Sequence, residues 1–307
     1  MSKLLRILMY IIHPCFILMV TPVFGQDDLS ALLDSTLQTR EKISATFKST
    51  RIINLQSNET VHKRTLDFRV AHRFGAMGKN SGGNRHNLFG LDESSDIRIA
   101  FEYGITEKFT VGVAHHKVEE NYELLGKYRL LEQTNDNHVP IAVTVFTNAA
   151  YSDEVNPLLN YDSVSTSEQT LRRLSYTAQL IIARKFSSRL SMVLVPTVIH
   201  RNFVTNGSDE NTVYAIGIGG RIKITHSTAL IADYMYNLGS YRAINNNNGY
   251  YNTLGAGVEF ETGGHVFSMM FTNAAAIIES QYVTHTMETW TKGGFRFSFN
   301  ISRTFRL

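Results

Sequence analysis

The sequence predicts an all-β fold: an antiparallel up-and-down transmembrane β-barrel of about twelve strands, with a short N-terminal periplasmic or plug segment. Three observations carry this prediction. From residue 65 onward, apolar and polar residues alternate with period two through one segment after another. The connections between segments alternate between long polar stretches and tight turns, with one exception, a brief second outer loop near Glu119-Glu120. The last segment repeats the pattern, with Phe295, Phe297, Phe299, Ile301, Phe305 and Leu307 on one parity and Arg296, Ser298, Asn300 and Ser302 on the other. Successive strand side chains point to opposite faces, so each segment has an apolar and a polar face. An apolar edge strand of this length would aggregate in a soluble protein, whereas a barrel in lipid requires it.

Residues 1–25 read as a signal peptide. Lys3 and Arg6 give a positive start, residues 7–20 an apolar run, and Val23-Phe24-Gly25 a small-residue exit. The only cysteine, Cys15, falls inside this segment, so disulfides and thiolate metal ligands are not expected in the mature chain. Residues 26–64 lack the strict alternation of the barrel strands. An amphipathic helix is expected near 27–36, with Leu29, Leu32, Leu33 and Leu37 near one face, and a strand across 45–55. This stretch is either a periplasmic lead-in or a segment folded into the barrel mouth.

The barrel is expected over residues 65–307. In 66–74, Leu66, Phe68 and Val70 alternate with Asp67, Arg69 and Ala71, before a loop rich in Gly, Asn and Ser. Ile97, Ile99, Phe101 and Tyr103 alternate with Arg98, Ala100 and Glu102, turn at Thr106-Glu107, and return through Phe109, Val111 and Val113. Tyr122, Leu124, Tyr128 and Leu130 then alternate with Glu123, Lys127 and Arg129. Further strands are expected at 139–150, 171–186, 189–203, 211–225, 228–237, 250–261 and 265–273, followed by a last long outer loop, 274–291. An even strand number returns both ends of the barrel to the periplasm. The terminal strand is expected to pair with 66–74 and close the barrel. It also resembles the terminal assembly signal of outer-membrane proteins, which implies the barrel-assembly machinery and outer-membrane lipid as partners.

Three stretches carry a family resemblance. They are Ala45-Thr46-Phe47-Lys48-Ser49-Thr50-Arg51-Ile52-Ile53-Asn54, Leu66-Asp67-Phe68-Arg69-Val70-Ala71-His72-Arg73-Phe74-Gly75, and Phe299-Asn300-Ile301-Ser302-Arg303. With them the chain resembles a bacterial outer-membrane β-barrel family, a domain of unknown function. The resemblance implies a barrel and an outer-membrane location. It brings no activity and no site residues.

Function must then be sought on the polar parity. Arg69, Arg73, Arg98, Glu102, Glu123, Lys127, Arg129, Arg173, Gln179, Lys185, Arg221, Lys223, Asp233, Glu259 and Arg296 are the residues expected to line the lumen. A charge on the lipid face at mid-membrane costs about 2–4 kcal/mol, which places these groups inside. Two readings are open: a narrow channel for small polar or anionic solutes, or a non-conducting, ion-paired barrel that serves as a scaffold or partner receptor. Gly112, Gly217, Gly219, Gly255 and Gly257 share the lumen parity and imply strand bending or close packing rather than a phosphate loop. The net charge of +3 is too near neutral for a nucleic-acid partner. His115 and His116 are adjacent in a strand and must face opposite sides, so no metal site or cofactor is expected. An outer-membrane esterase is disfavoured because no His-x-Ser pair falls on the lipid parity.

Overall fold

A computed structural model describes residues 41–154 and 165–307. The segment read as a signal peptide, 1–25, and the helix read at 27–36 lie outside the described residues. Twelve strands succeed one another: β1 (Thr65–Phe74), β2 (Ser94–Gly104), β3 (Phe109–His116), β4 (Asn121–Leu131), β5 (Ala142–Ser152) and β6 (Leu174–Lys185). Then come β7 (Leu190–Arg201), β8 (Thr212–Lys223), β9 (Thr228–Asn237), β10 (Thr253–Thr262), β11 (His265–Thr272) and β12 (Arg296–Arg306). Each pairs antiparallel with its neighbours in sequence, and β12 pairs with β1 to close the barrel. Closure leaves no free sheet edge, the condition for placing strands in lipid.

The period-two pattern sets the register. Across the closing seam Leu66 lies opposite Phe305 and Val70 opposite Ile301 on the outside, while Arg69 meets Ser302 and Arg73 meets Ser298 on the inside. Outward side chains such as Val113, Leu124, Tyr214 and Ile218 are exposed and make an apolar belt. Phe297, Phe299 and Ile301 point outward too, half-covered by Phe74, Phe267 and Phe271 on neighbouring strands.

One rim carries mostly tight turns and the other mostly long loops; the exceptions are the longer connection 132–141 on the turn rim and the short one 117–120 on the loop rim. Several strands are shorter than the alternation suggests, and at two of them the cause is local. β5 begins at Ala142 because Pro140 lacks an N–H and Asp136 accepts from Thr134 Oγ1 (2.5 Å) and His138 N (3.0 Å) in a turn of its own. β6 begins at Leu174 because helix α1 (Thr166–Arg172), capped by Ser165, occupies the preceding residues.

The largest departure from expectation is inside. The loop after β11, expected to be external, turns back into the lumen. Ala274, Ile277, Ile278 and Glu279 are buried there, and the single turn α2 (Glu279–Tyr282) stands against the inward faces of β6 and β7. From the opposite rim, residues 41–64 enter as a hairpin. Its ends are tied at the turn rim by Ile43 N to Gln133 O (2.9 Å) and Arg64 N to Gly104 O (2.9 Å). Between them the strand expected across 45–55 does not form. A single bridge, Arg51 with Gln56, and a bond from Ile52 N to Leu55 O (2.8 Å) make a tight tip instead.

Candidate functional site: a lumen filled from both ends

The hairpin tip is built around one carboxylate. The backbone N–H groups of Ile53, Asn54 and Leu55 converge on Asp233 Oδ2 at 3.2, 2.6 and 2.9 Å, and Asn54 Nδ2 donates to Oδ1 at 2.9 Å. Successive N–H groups in a tight turn form a concavity with positive potential, which Asp233 of β9 fills. On the carbonyl side of the same turn, Arg73 Nη2 of β1 donates to Ile53 O (3.2 Å) and Asn54 Oδ1 (3.3 Å). The tip thus lies with its peptide dipoles aligned between an anion and a cation on two different strands.

The wall behind the tip is hollowed to receive it. A Cβ at Gly217 would lie 2.7 Å from Leu55 Cδ2, one at Gly219 3.0 Å from Ile52 Cδ1, and one at Gly255 2.7 Å from Ile53 Cγ2. The lumen-parity glycines of β8 and β10 are therefore seats for three apolar side chains, all nearly fully buried. Close packing, one of the two expectations for these glycines, is what they provide.

Below the tip the hairpin is polar and fastened to charged wall residues. Lys127 Nζ donates to Thr50 O (2.8 Å) and Ser57 O (3.2 Å), and Thr50 Oγ1 donates to Glu102 (2.9 Å). Arg69 reaches Ser49 Oγ (2.9 Å), Arg129 reaches Glu59 (3.1 Å), and Lys185 reaches Ala45 O (3.1 Å). Above the tip the hairpin meets the inward loop: Arg51 pairs with Glu279 at 2.8 Å, both buried, and Glu279 also accepts from Gln56 (3.0 Å) and Asn148 (3.1 Å). The two insertions together occupy the lumen.

Most of the residues expected on the inward face lie there. Arg69, Arg73, Arg98, Glu102, Glu123, Lys127, Gln179, Arg221, Asp233, Glu259 and Arg296 are buried inside, and Arg129, Lys185 and Lys223 are half-buried toward the turn rim. Several pair within the wall, as Arg98 with Glu123 (3.0 Å) and Arg221 with Glu259 (2.7 Å). Arg173 is different. It caps α1 at the loop rim and donates to the carbonyls of Ser152 and Glu154, because the helix displaces the start of the strand assigned to it.

Other participants escape the sequence reading. Asp67, Asp96 and His116 complete the wall network, with Arg69 on Asp67 (2.9 Å), His116 on Glu123 (3.0 Å), and Ile277 N on Asp96 (2.8 Å). They share the parity of Arg69, Arg98 and Glu102, and that parity is a signal the sequence carries. Arg51 and Glu279 lie outside the strands. Only the apolar run from Ala274 to Ile278, out of place in an exposed loop, hints at the inward fold.

At the loop rim a cavity of about 140 Å³ is lined by Arg172, Arg173, Arg201, Arg242, Glu119 and His285, among others. Asp209 binds Arg242 at 2.6 Å and Arg201 at 3.1 Å. Burial alone would raise the Asp209 carboxyl, but the two guanidinium groups outweigh it and hold it below the usual range. His285 is pushed down to about 3, by burial first and then by the charges of Arg242 and Arg201. The arginines here already have anionic or carbonyl partners.

Several solved structures resemble the chain at low identity. The NanC porin aligns with a TM-score of 0.47 at 9% identity, over 79% of this chain and 100% of the porin. The KdgM porin gives 0.47 at 8%, over 78% and 99%. The COG4313 outer membrane channel from Pseudomonas putida F1 gives 0.45 at 12%, over 81% and 98%. No curated protein sequence matches the chain. A family model described as a membrane bound beta barrel domain matches residues 47–305, which takes in both the barrel and the hairpin. A closed barrel with an apolar exterior and a membrane-bound family places the protein in the bacterial outer membrane. The chain belongs to this family of membrane-bound β-barrel domains, DUF5777.

Proposed function

We propose that the protein is a narrow outer-membrane channel for small polar or anionic solutes, held closed by its own N-terminal hairpin. The observation that carries this reading is the way the hairpin is fastened. Apart from Ile52, Ile53 and Leu55 at its tip and Phe47 and Val61 below it, the hairpin meets the wall through hydroxyl, amide and charged groups, which water satisfies equally well when the hairpin leaves. The wall would stay soundly built without it, since Arg98 with Glu123, Arg69 with Asp67 and Arg221 with Glu259 pair among themselves. Basic groups outnumber acidic ones on that inward face, which supports a preference for anions.

The filled lumen also favours a second reading, a non-conducting scaffold or receptor. Planar-bilayer recordings separate the two. The channel reading expects little conductance from the intact protein and discrete conductance steps once residues 46–61 are deleted. Folded barrels, identified by heat-modifiable migration in gels, that stay silent in both forms would leave the scaffold reading standing.

A further inference from the structure

The outward face has its own pattern. Three outward side chains near the turn rim of β10, β11 and β12 break its apolar rule: Thr262 lies opposite His265, and His265 opposite Arg303. They form one polar row across three strands. Arg303 is exposed, and its guanidinium rests over the Phe305 ring at 5.0 Å, leaning toward the rim. Its outward neighbours are Ile301 and Phe305 along β12, Phe68 across on β1 and His265 across on β11, and none is acidic. An arginine on the lipid face turns its charge toward the headgroups and keeps its stem in hydrocarbon.

Directly behind the row, toward mid-membrane, the same strands leave a hollow of about 560 Å³, lined by Phe260, Phe267, Met269, Phe297, Phe299 and Ile301. The register joins the two features. Phe260, Phe267 and Ile301 form the next outward row beyond Thr262, His265 and Arg303, and Met269 and Phe299 belong to the one after. From Ile301 to Phe297 β12 rises about 13 Å, against about 15 Å of hydrocarbon in one leaflet. A polar rim followed by apolar depth is the order of a phospholipid in the turn-rim leaflet, with phosphate at the surface and an acyl chain beneath it. A hydroxyl, an imidazole and a guanidinium can all donate to phosphate, and the guanidinium matches its oxygens in pairs.

The geometry points to a binding site for one anionic phospholipid on the outside of β10–β12, its phosphate on Arg303, His265 and Thr262 and an acyl chain in the hollow. The site belongs to the outer wall, so it holds whether or not the lumen conducts. β6, diametrically opposite β12 in the closed strand order, supplies a matched control. There Arg184 also stands outward over an aromatic ring, Phe186, at 5.2 Å. Trp290 is the only native tryptophan. In a Trp290→Phe background, Phe260→Trp reports on the hollow and Ile182→Trp on the wall beside Arg184. Each full-length variant, shown by gel mobility to be a folded barrel, is placed in bilayers of phosphatidylcholine and phosphatidylglycerol, with one lipid or the other brominated at mid-chain. Quenching at Phe260→Trp should show phosphatidylglycerol favoured by about tenfold, a ratio equivalent to about 1.4 kcal/mol. Ile182→Trp should show a smaller preference, since a lone arginine attracts the headgroup without a row and a hollow to hold the lipid. Adding Arg303→Gln to Phe260→Trp should remove the preference, and Arg303→Lys should keep part of it. Equal quenching by the two lipids at Phe260→Trp, equal preferences at the two reporters, or a preference that survives Arg303→Gln would overturn the proposal. So would a Phe260→Trp reporter reached by neither lipid, the result if a second copy of the chain covers this face.

Discussion

Removing the Asp233 carboxylate is the sharpest perturbation of the docked hairpin. Oδ2 accepts three backbone N–H groups at 3.2, 2.6 and 2.9 Å, and Oδ1 accepts Asn54 Nδ2 at 2.9 Å. A hydrogen bond to a charged group contributes about 1.5–3 kcal/mol, and a buried donor left without an acceptor costs about 1–3 kcal/mol. Four such bonds are not additive, and losing the buried charge recovers some desolvation energy. A net weakening of about 3–6 kcal/mol is therefore expected for Asp233→Ala, a factor of about 10² to 10⁴ in the docking equilibrium. Asp233→Asn keeps one acceptor oxygen and should fall between. Two measurements track the change: open probability in single-channel recordings, and tryptic cleavage after Lys48 or Arg51 in barrels shown by gel mobility to be folded. The reasoning is refuted if Asp233→Ala barrels match the native protein in both.

Other expectations arise from the same contacts. Gly217→Val places a side chain where Leu55 sits and meets only apolar atoms of Leu55 and Met235, so it should loosen the tip by about 1–3 kcal/mol without touching the Asp233 hydrogen bonds, read as faster cleavage after Lys48. Arg51→Met strands Glu279 in the lumen and should weaken the contact between hairpin and inward loop by about 3–5 kcal/mol; adding Glu279→Leu should recover most of that, as a double-mutant cycle in thermal unfolding would show. The inward loop should loosen as pH falls. His285 titrates at about 3 when docked and near about 6.5 when free, so the free loop binds more protons and docking weakens from pH 6.5 downward. Hydrogen exchange across 274–286, corrected for its intrinsic pH dependence, should rise between about pH 7 and 5 and become flat in His285→Gln. Finally, Phe305→Asp or loss of the last three residues should reduce the surface abundance of folded barrels, because Phe305 sits opposite Leu66 in the closing pair; normal abundance would refute a role for this strand in assembly.

The fold was legible because a lipid-facing barrel imposes one rule on every strand. Phe297, Phe299 and Ile301 must face out wherever the neighbouring loops go, and Ser298 and Asn300 must face in. That rule governs side-chain direction, not contents. It puts Gly217, Gly219 and Gly255 on the inner face without revealing that Leu55, Ile52 and Ile53 would occupy the space they leave. It also fails at strand ends, where alternation continues by chance into a helix, as at Arg173. The hairpin and the inward loop obey no periodic rule. Their shapes are set by long-range partners: Asp233 for the tip, and Arg51 for Glu279. A single chain read in order exposes neither.

The hairpin's two ties at the turn rim have a topological consequence. Ile43 and Arg64 are both held there, while the tip reaches Asp233 and Thr272 deep in the barrel. The segment enters and leaves by the same opening, so residues 46–61 can be drawn out as a closed loop without passing a chain end through the barrel. Neither strand separation nor breakage of the seam is required. Traction on the chain at residue 41, from the turn side, would act first on the bond from Asn135 N to Glu41 O (3.0 Å) and the Lys42–Glu132 pair (2.6 Å), and last on the Asp233 contacts. Release therefore has an order written into it, from rim to tip.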